Sequence, residues 1–172
     1  MGENIKIGIS SCLLGEKVRY DGGHKLDQFL IERLGRQVKF ISICPEVECG
    51  FGVPREATRL EGAPASPRMV TIETRTDRTA RIVVWSQQKM KQLEEADISG
   101  FVFKSKSPSC GKARVKVFGA PGTPRKEGIG LFARVFMDHF PHLPVADETE
   151  LHDLLVLKSF IERTMGLRSS TR

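Results

Sequence analysis

At 172 residues with 40% hydrophobic content, the chain is long enough for one domain of ordinary size and can bury a core without disulfide staples. No apolar run approaches the roughly 18 residues that span a bilayer, and Met1-Gly2-Glu3-Asn4 lacks the basic and apolar regions of a secretory signal, so a cytoplasmic location and no membrane partner are expected. The 27 basic residues against 21 acidic ones leave a net charge of +6, which favours anionic partners such as nucleotides or RNA, although lysine and arginine mostly just solvate surfaces.

Ile5 to Ser10 reads as a short strand that ends just before Cys12. A polar loop, Gly15 to His24, follows. Leu26, Phe29, Leu30 and Leu34 then recur at helical spacing, and Gly35 suits a helix stop. Val38 to Ile43 is a second strand, ending just before Cys44. A helix between two strands makes a βαβ unit, whose strands are parallel. Pro45 to Pro67 holds four prolines and three glycines and reads as one long ordered loop. Met69 to Arg75 reads as a strand. Asp77 to Ala96 is taken as one helix, although Ile82-Val83-Val84-Trp85 has β propensity, because Met90 and Leu93 sit at inward positions. Phe101 to Lys104 and Arg114 to Phe118 are further strands. Gly130 to Phe140 is a helix, and Leu151 to Met165 an amphipathic helix carrying Leu154, Leu155, Phe160 and Ile161. The alternation predicts an α/β fold, a single Rossmann-like three-layer domain with a mainly parallel sheet.

Three cysteines each follow a strand-like run: Cys12, Cys44 and, in Ser107-Pro108-Ser109-Cys110-Gly111, Cys110. Open α/β sheets bind ligands outside the carboxyl ends of their strands, so three thiols distant in sequence should meet at one sheet edge. In a reducing compartment such a set points to metal or catalysis rather than to disulfides. Three protein ligands leave an open coordination position, the feature that separates catalytic from closed structural metal sites. Cys49 would make four, but it lies five residues from Cys44, and no Cys-x-x-Cys occurs. Spacing alone leaves zinc, an iron–sulfur cluster and a redox thiol pair all open.

The segments around the cysteines are distinctive: Ser11-Cys12-Leu13-Leu14-Gly15, Val18-Arg19-Tyr20-Asp21-Gly22-Gly23, Cys44-Pro45-Glu46-Val47, Gly52-Val53-Pro54-Arg55 and Lys104-Ser105-Lys106-Ser107-Pro108-Ser109-Cys110-Gly111. Together, over roughly residues 5 to 145, they resemble the thiouracil desulfidase family. Leu143-Pro144-Val145 and Phe160-Ile161-Glu162-Arg163 are similar to the junction in its two-domain members, which act on 4-thiouridine in tRNA. The resemblance implies a 4Fe-4S cluster held by Cys12, Cys44 and Cys110, with the fourth iron open to the sulfur of a thiolated uracil. It also implies Glu46 as acid/base, and a nucleobase, nucleotide or tRNA as partner. On this reading residues 1–145 are a desulfidase catalytic domain and 146–172 a C-terminal helical extension, with no room before Arg172 for the second domain of longer relatives. Relatives carry an aliphatic or small residue at the position of Cys49, which makes it a bystander.

Glu46, two residues after a ligand, is placed to orient or deprotonate water; its plain alternative is an ion pair in a basic protein. Ser107 and Ser109 either donate to substrate or cluster sulfurs or only cap a turn. Arg19, Tyr20, Asp21, Gly22 and Gly23, with Lys104, are the expected substrate residues: Arg19 for a phosphate, Tyr20 to stack on a base, the glycines for close backbone approach. The alternative is a turn with solvated charges, and His24 is expected to cap locally rather than ligate. Lys104, Lys106, Lys112 and Arg114 flank Cys110 and suit an anionic substrate. Two other classes fit the same residues: a mononuclear zinc hydrolase, and a non-catalytic RNA-binding module.

Overall fold

The computed structural model describes residues 5–120 and 123–169. In chain order the strands are β1 (Ile5–Ser10), β2 (Val38–Ile43), β3 (Thr58–Glu61), β4 (Arg68–Thr71), β5 (Phe101–Phe103), β6 (Val115–Phe118), β7 (Arg125–Gly128) and β8 (Val145–Asp147). The helices are α1 (Gln28–Leu34), α2 (Pro45–Glu48), α3 (Thr79–Glu95), α4 (Leu131–His139), α5 (Glu148–Leu151) and α6 (Leu154–Ser169), and a 3-10 turn, Ser11–Leu14, follows β1.

Strands β2, β1, β5 and β8 form one sheet in that order, all parallel. Its strands alternate their faces. Ile5, Ile7 and Ile9 of β1 and Val102 of β5 pack with Leu30 and Leu34 of α1 and with Leu157 and Phe160 of α6. Phe101 and Phe103 point the other way, onto Met90 and Leu93 of α3 and Phe132 and Phe136 of α4. The result is the expected Rossmann-like three-layer arrangement. Gly8 makes room for it: a Cβ there would lie 2.4 Å from the Phe101 ring. The chain leaves β1 for β2 on one side and returns as β5 on the other, and such a switch point opens a crevice at the carboxyl ends of the strands.

A second sheet, ordered β4-β3-β6-β7, was not expected; its pairs are antiparallel except β3 with β6. Leu60, Met69, Val115 and Val117 pack from it onto Ile82 of α3 and Leu131 of α4. The segment Pro45–Pro67 is therefore not one loop: Pro45 opens the single turn α2 and β3 lies inside the segment. Strand β7 escaped the sequence reading because Arg-Lys-Glu-Gly buries only its glycine; the ladder with β6 makes it a strand. The strand at Met69–Arg75 is shorter, ending at Thr71, with Ile72 46% exposed. Leu26 precedes α1, which begins after its cap Asp27, whose side chain accepts from the Leu30 N–H at 3.1 Å.

The last helix also differs from expectation. The chain breaks at His152 and Asp153, where the Asp153 carboxylate accepts from the Leu155 N–H at 2.8 Å and starts α6 afresh. The inward stripe becomes Leu157, Phe160, Ile161 and Thr164, whereas Leu154 and Leu155 are 59% and 78% exposed. The boundary expected between residues 145 and 146 falls inside β8, an edge strand of the first sheet. No helix among the described residues is long and apolar enough to cross a membrane.

Candidate active site

A cavity of about 670 Å³ opens at the carboxyl ends of β1, β2 and β5. Cys12, Cys44 and Cys110 all line it; Cys49 does not. Each cysteine is held by its own backbone device. Cys12 lies in the 3-10 turn, its carbonyl accepting from the N–H groups of Gly15 (3.2 Å) and Lys25 (2.8 Å). Cys44 precedes Pro45 at the start of α2, its Sγ 3.9 Å from the Val18 carbonyl. In the third loop the Ser107 hydroxyl accepts from the N–H groups of Ser109 (3.2 Å) and Cys110 (3.0 Å). That loop docks on the start of α4: Leu131 N–H donates to the Pro108 carbonyl, and Phe132 and Ala133 N–H both donate to that of Ser109, at 3.0 to 3.1 Å.

The donor set suits an iron–sulfur cluster. Burial pushes the Cys12 thiol up to about 11, against partial relief from Lys104 and Arg19, and it pushes Cys44 and Cys110 upward too. Three thiolates in this setting need positive charge between them, which a bound metal centre supplies. Among the described residues no three His, Cys, Asp or Glu side chains converge to hold one metal ion. A cluster makes no such demand, because each thiolate takes a different iron. Cys49 instead packs with Leu60, Met69 and Ile82 beneath the second sheet.

Glu46 is 8% exposed and lines the cavity with both oxygens engaged. Arg55 Nε donates to Oε2 at 2.8 Å and Ser109 Oγ donates to Oε1 at 2.9 Å. The Ser107 and Ser109 hydroxyls lie 3.0 Å apart; with the single Ser109 hydrogen given to Glu46, Ser107 is the donor between them. Ser107 thus caps the loop, as one of the two expectations had it, and also heads a hydrogen-bonded chain to the carboxylate. Glu46 does form an ion pair, and does so in the wall of the cavity.

The expected substrate residues separate into two groups. Arg19 and Tyr20 line the cavity, the guanidinium 5.7 Å from the Tyr20 ring centroid. Asp21, Gly22 and Gly23 do not: the Asp21 carboxylate accepts from the Gly23 N–H at 2.9 Å and Gly22 sits at φ +77°, so they shape the turn that presents their neighbours. His24 caps locally, its Nδ1 accepting from the Leu26 N–H at 3.1 Å. Lys104 lines the cavity with its ammonium paired to Glu148, while Lys112 turns away to Glu150 at 2.9 Å. Lys106 lines the first cavity and also a second one of about 740 Å³; Arg114 borders only the second, which shares Thr58, Ile72, Ser105, Lys106, Pro108 and Thr149 with the first. Among the described residues its other cations are Arg59, Lys116 and Lys126, against the single carboxylate of Asp147.

Arg55 and Glu148 are among the cavity residues that sequence reasoning missed. Arg55 stands in the Gly52–Arg55 motif, which was the available signal. Glu148, 8% exposed, accepts from the Ser105 N–H at 2.7 Å and from the Ser105 hydroxyl at 2.6 Å. Nothing in its local sequence marks it, because the pairing of β5 with β8 brings it to the site.

Comparison with known proteins agrees with this architecture. Residues 7–148 match the family model of 2-thiouracil desulfurase. The uncharacterized protein YbbK of Bacillus subtilis (strain 168) is 30% identical over 159 residues, covering 86% of this chain and 98% of that protein. The solved structure of the 4Fe-4S-dependent thiouracil desulfidase TudS superposes with a TM-score of 0.70 at 28% identity, covering 91% of this chain and 99% of that one.

Proposed function

Because the chain belongs to the 2-thiouracil desulfurase family, we propose that it replaces the sulfur of a thiolated uracil by oxygen and releases hydrosulfide. The observation that carries this reading is the meeting of Cys12, Cys110 and the Cys44–Glu46 segment on one cavity, from three separate places in the sequence. Four thiols outside any disulfide suit the reducing cytoplasm expected for it.

A 4Fe-4S cluster held by Cys12, Cys44 and Cys110 would supply an open iron, a Lewis acid with affinity for sulfur that polarises the thiocarbonyl carbon. Glu46 orients a water toward that carbon and accepts its proton, with the lone pairs that Arg55 and Ser109 leave free. The water oxygen becomes the carbonyl oxygen, the carbon–sulfur bond breaks, one of the two water protons leaves with the sulfur as hydrosulfide, and the other passes to solvent. No net electron transfer occurs. Tyr20 offers its ring to the base, and Arg19 its charge to a phosphate.

The second cavity favours a substrate larger and more anionic than a free base: a 4-thiouridine nucleotide, alone or within tRNA. Lys106, Arg114, Lys116 and Lys126 border it without a carboxylate partner among the described residues. The test is anaerobic cluster reconstitution followed by hydrosulfide release from 2-thiouracil, 4-thiouridine monophosphate and 4-thiouridine-containing tRNA. The nucleotide should outpace the base by a margin that narrows as salt is raised. Equal rates would remove the phosphate preference. No hydrosulfide from any of the three, in brown and fully loaded protein, would remove the desulfidase reading; colourless active protein would turn it into a zinc hydrolase.

A further inference from the structure

Arg55 has no part in the roles assigned so far beyond its contact with Glu46. Its side chain is 8% exposed, and its donors are spread over three segments of the chain. Nε reaches Glu46 Oε2 at 2.8 Å, while Nη1 donates to the carbonyls of Val18 and Gly52, each at 2.9 Å. Its backbone N–H donates to the Tyr20 carbonyl at 2.8 Å. The turn after Cys44, the loop that carries Arg19 and Tyr20, and the Gly52–Arg55 segment are thus tied through one residue. A guanidinium anchored on two backbone carbonyls cannot swing with a mobile carboxylate. It fixes Oε2, and Ser109 fixes Oε1 at 2.9 Å.

We propose that Arg55 is a positioning residue for the desulfidation reaction: its bond to Oε2 aims the Glu46 carboxylate at the water that attacks the substrate. This rests on the desulfidase reading above. Lysine at the same position keeps the charge but concentrates its donors on one nitrogen. From there it cannot hold both places that Nε and Nη1 occupy, so the carboxylate loses its fixed aim.

The test compares the reconstituted holoenzyme with R55K, E46Q and the double variant. R55K should keep the brown cluster and a melting temperature near that of the parent. Its kcat should fall at least about tenfold with KM changed less than about threefold, the pattern of a misaimed group rather than weakened binding. Added to E46Q, R55K should cost nothing further, because it acts through the carboxylate that E46Q has already disabled. Losses that multiply would overturn the proposal, and so would an unchanged kcat in R55K. Should R55K not fold or load, R55Q, which retains one donor toward Oε2 without the double anchor, is measured in the same way. A crystal structure of the variant adds a readout that does not depend on turnover. Glu46 displaced from Ser109 supports positioning, and Glu46 unmoved overturns it. A parent enzyme that releases no hydrosulfide would therefore end the desulfidase reading, while the crystal structure would still decide the role of Arg55.

Discussion

Gly130→Ala should damage the metal site without touching a ligand. Gly130 faces the backbone of the third cysteine loop, where a Cβ would lie 2.6 Å from the carbonyl carbon and oxygen of Ser109 and 2.8 Å from the Gly111 nitrogen. All three are backbone atoms, so no side-chain rotation relieves the clash. Ser109 must retreat to at least 3.4 Å, carrying Cys110 with it and stretching the bonds from Leu131, Phe132 and Ala133 to the loop carbonyls. Overpacking costs about 1–3 kcal/mol, and loss of the three hydrogen bonds at about 0.5–1.5 kcal/mol each brings the total to at most about 2.5–7.5 kcal/mol. In a chain of this size that lowers Tm by roughly 5 to 30 °C. Gly119→Ala is the control: no described atom lies within 4 Å of its Cβ, and the change should stay within about 0.5 kcal/mol. The assay is thermal unfolding of the metal-free chain, followed by iron and sulfide content after anaerobic reconstitution. G130A should melt earlier and load less cluster with every cysteine and Glu46 in place. A G130A protein equal to the parent in both would refute the packing of the loop on α4.

Substituting Cys12, Cys44 or Cys110 by alanine should abolish cluster retention and activity together; iron content and hydrosulfide release check this. Cys49→Ala should leave cluster content and rate near those of the parent, since the thiol lies in the apolar cluster under the second sheet; its loss should appear only as a lower melting temperature. Glu46→Gln should keep the brown cluster while turnover falls by roughly 10²- to 10⁴-fold, read as single-turnover rates per cluster. Arg75 and Arg59 hold the Glu61 carboxyl at about 2, below its ordinary 4.5, so its contribution to stability is complete above pH 4.5 and is lost as pH falls toward 2. Glu61→Gln should accordingly flatten the fall of Tm between those two pH values, and an unchanged slope would remove the pairing.

The local rules were enough wherever one element satisfied its own pattern. Val38–Ile43 and the inward Met90 and Leu93 were legible because alternation and helical spacing follow from backbone geometry alone. The convergence of Cys12, Cys44 and Cys110 was legible for a related reason, since parallel strands present their carboxyl ends on one edge. What sequence reading could not supply came from pairings between distant segments. Strand β7 has no apolar signal and exists because β6 supplies its hydrogen bonds; β3 hides among prolines and glycines until β4 and β6 flank it. The same holds in the site, where Glu148 gains its position from β8 beside β5, and Arg55 from carbonyls at Val18 and Gly52. Composition and periodicity decided the layers, the parallel sheet and the edge at which the thiols meet, because burial of apolar side chains is written into residue spacing. Only the tertiary structure decided which charges face the cavity and which are spent on partners, because a buried ion pair joins residues that no local pattern relates.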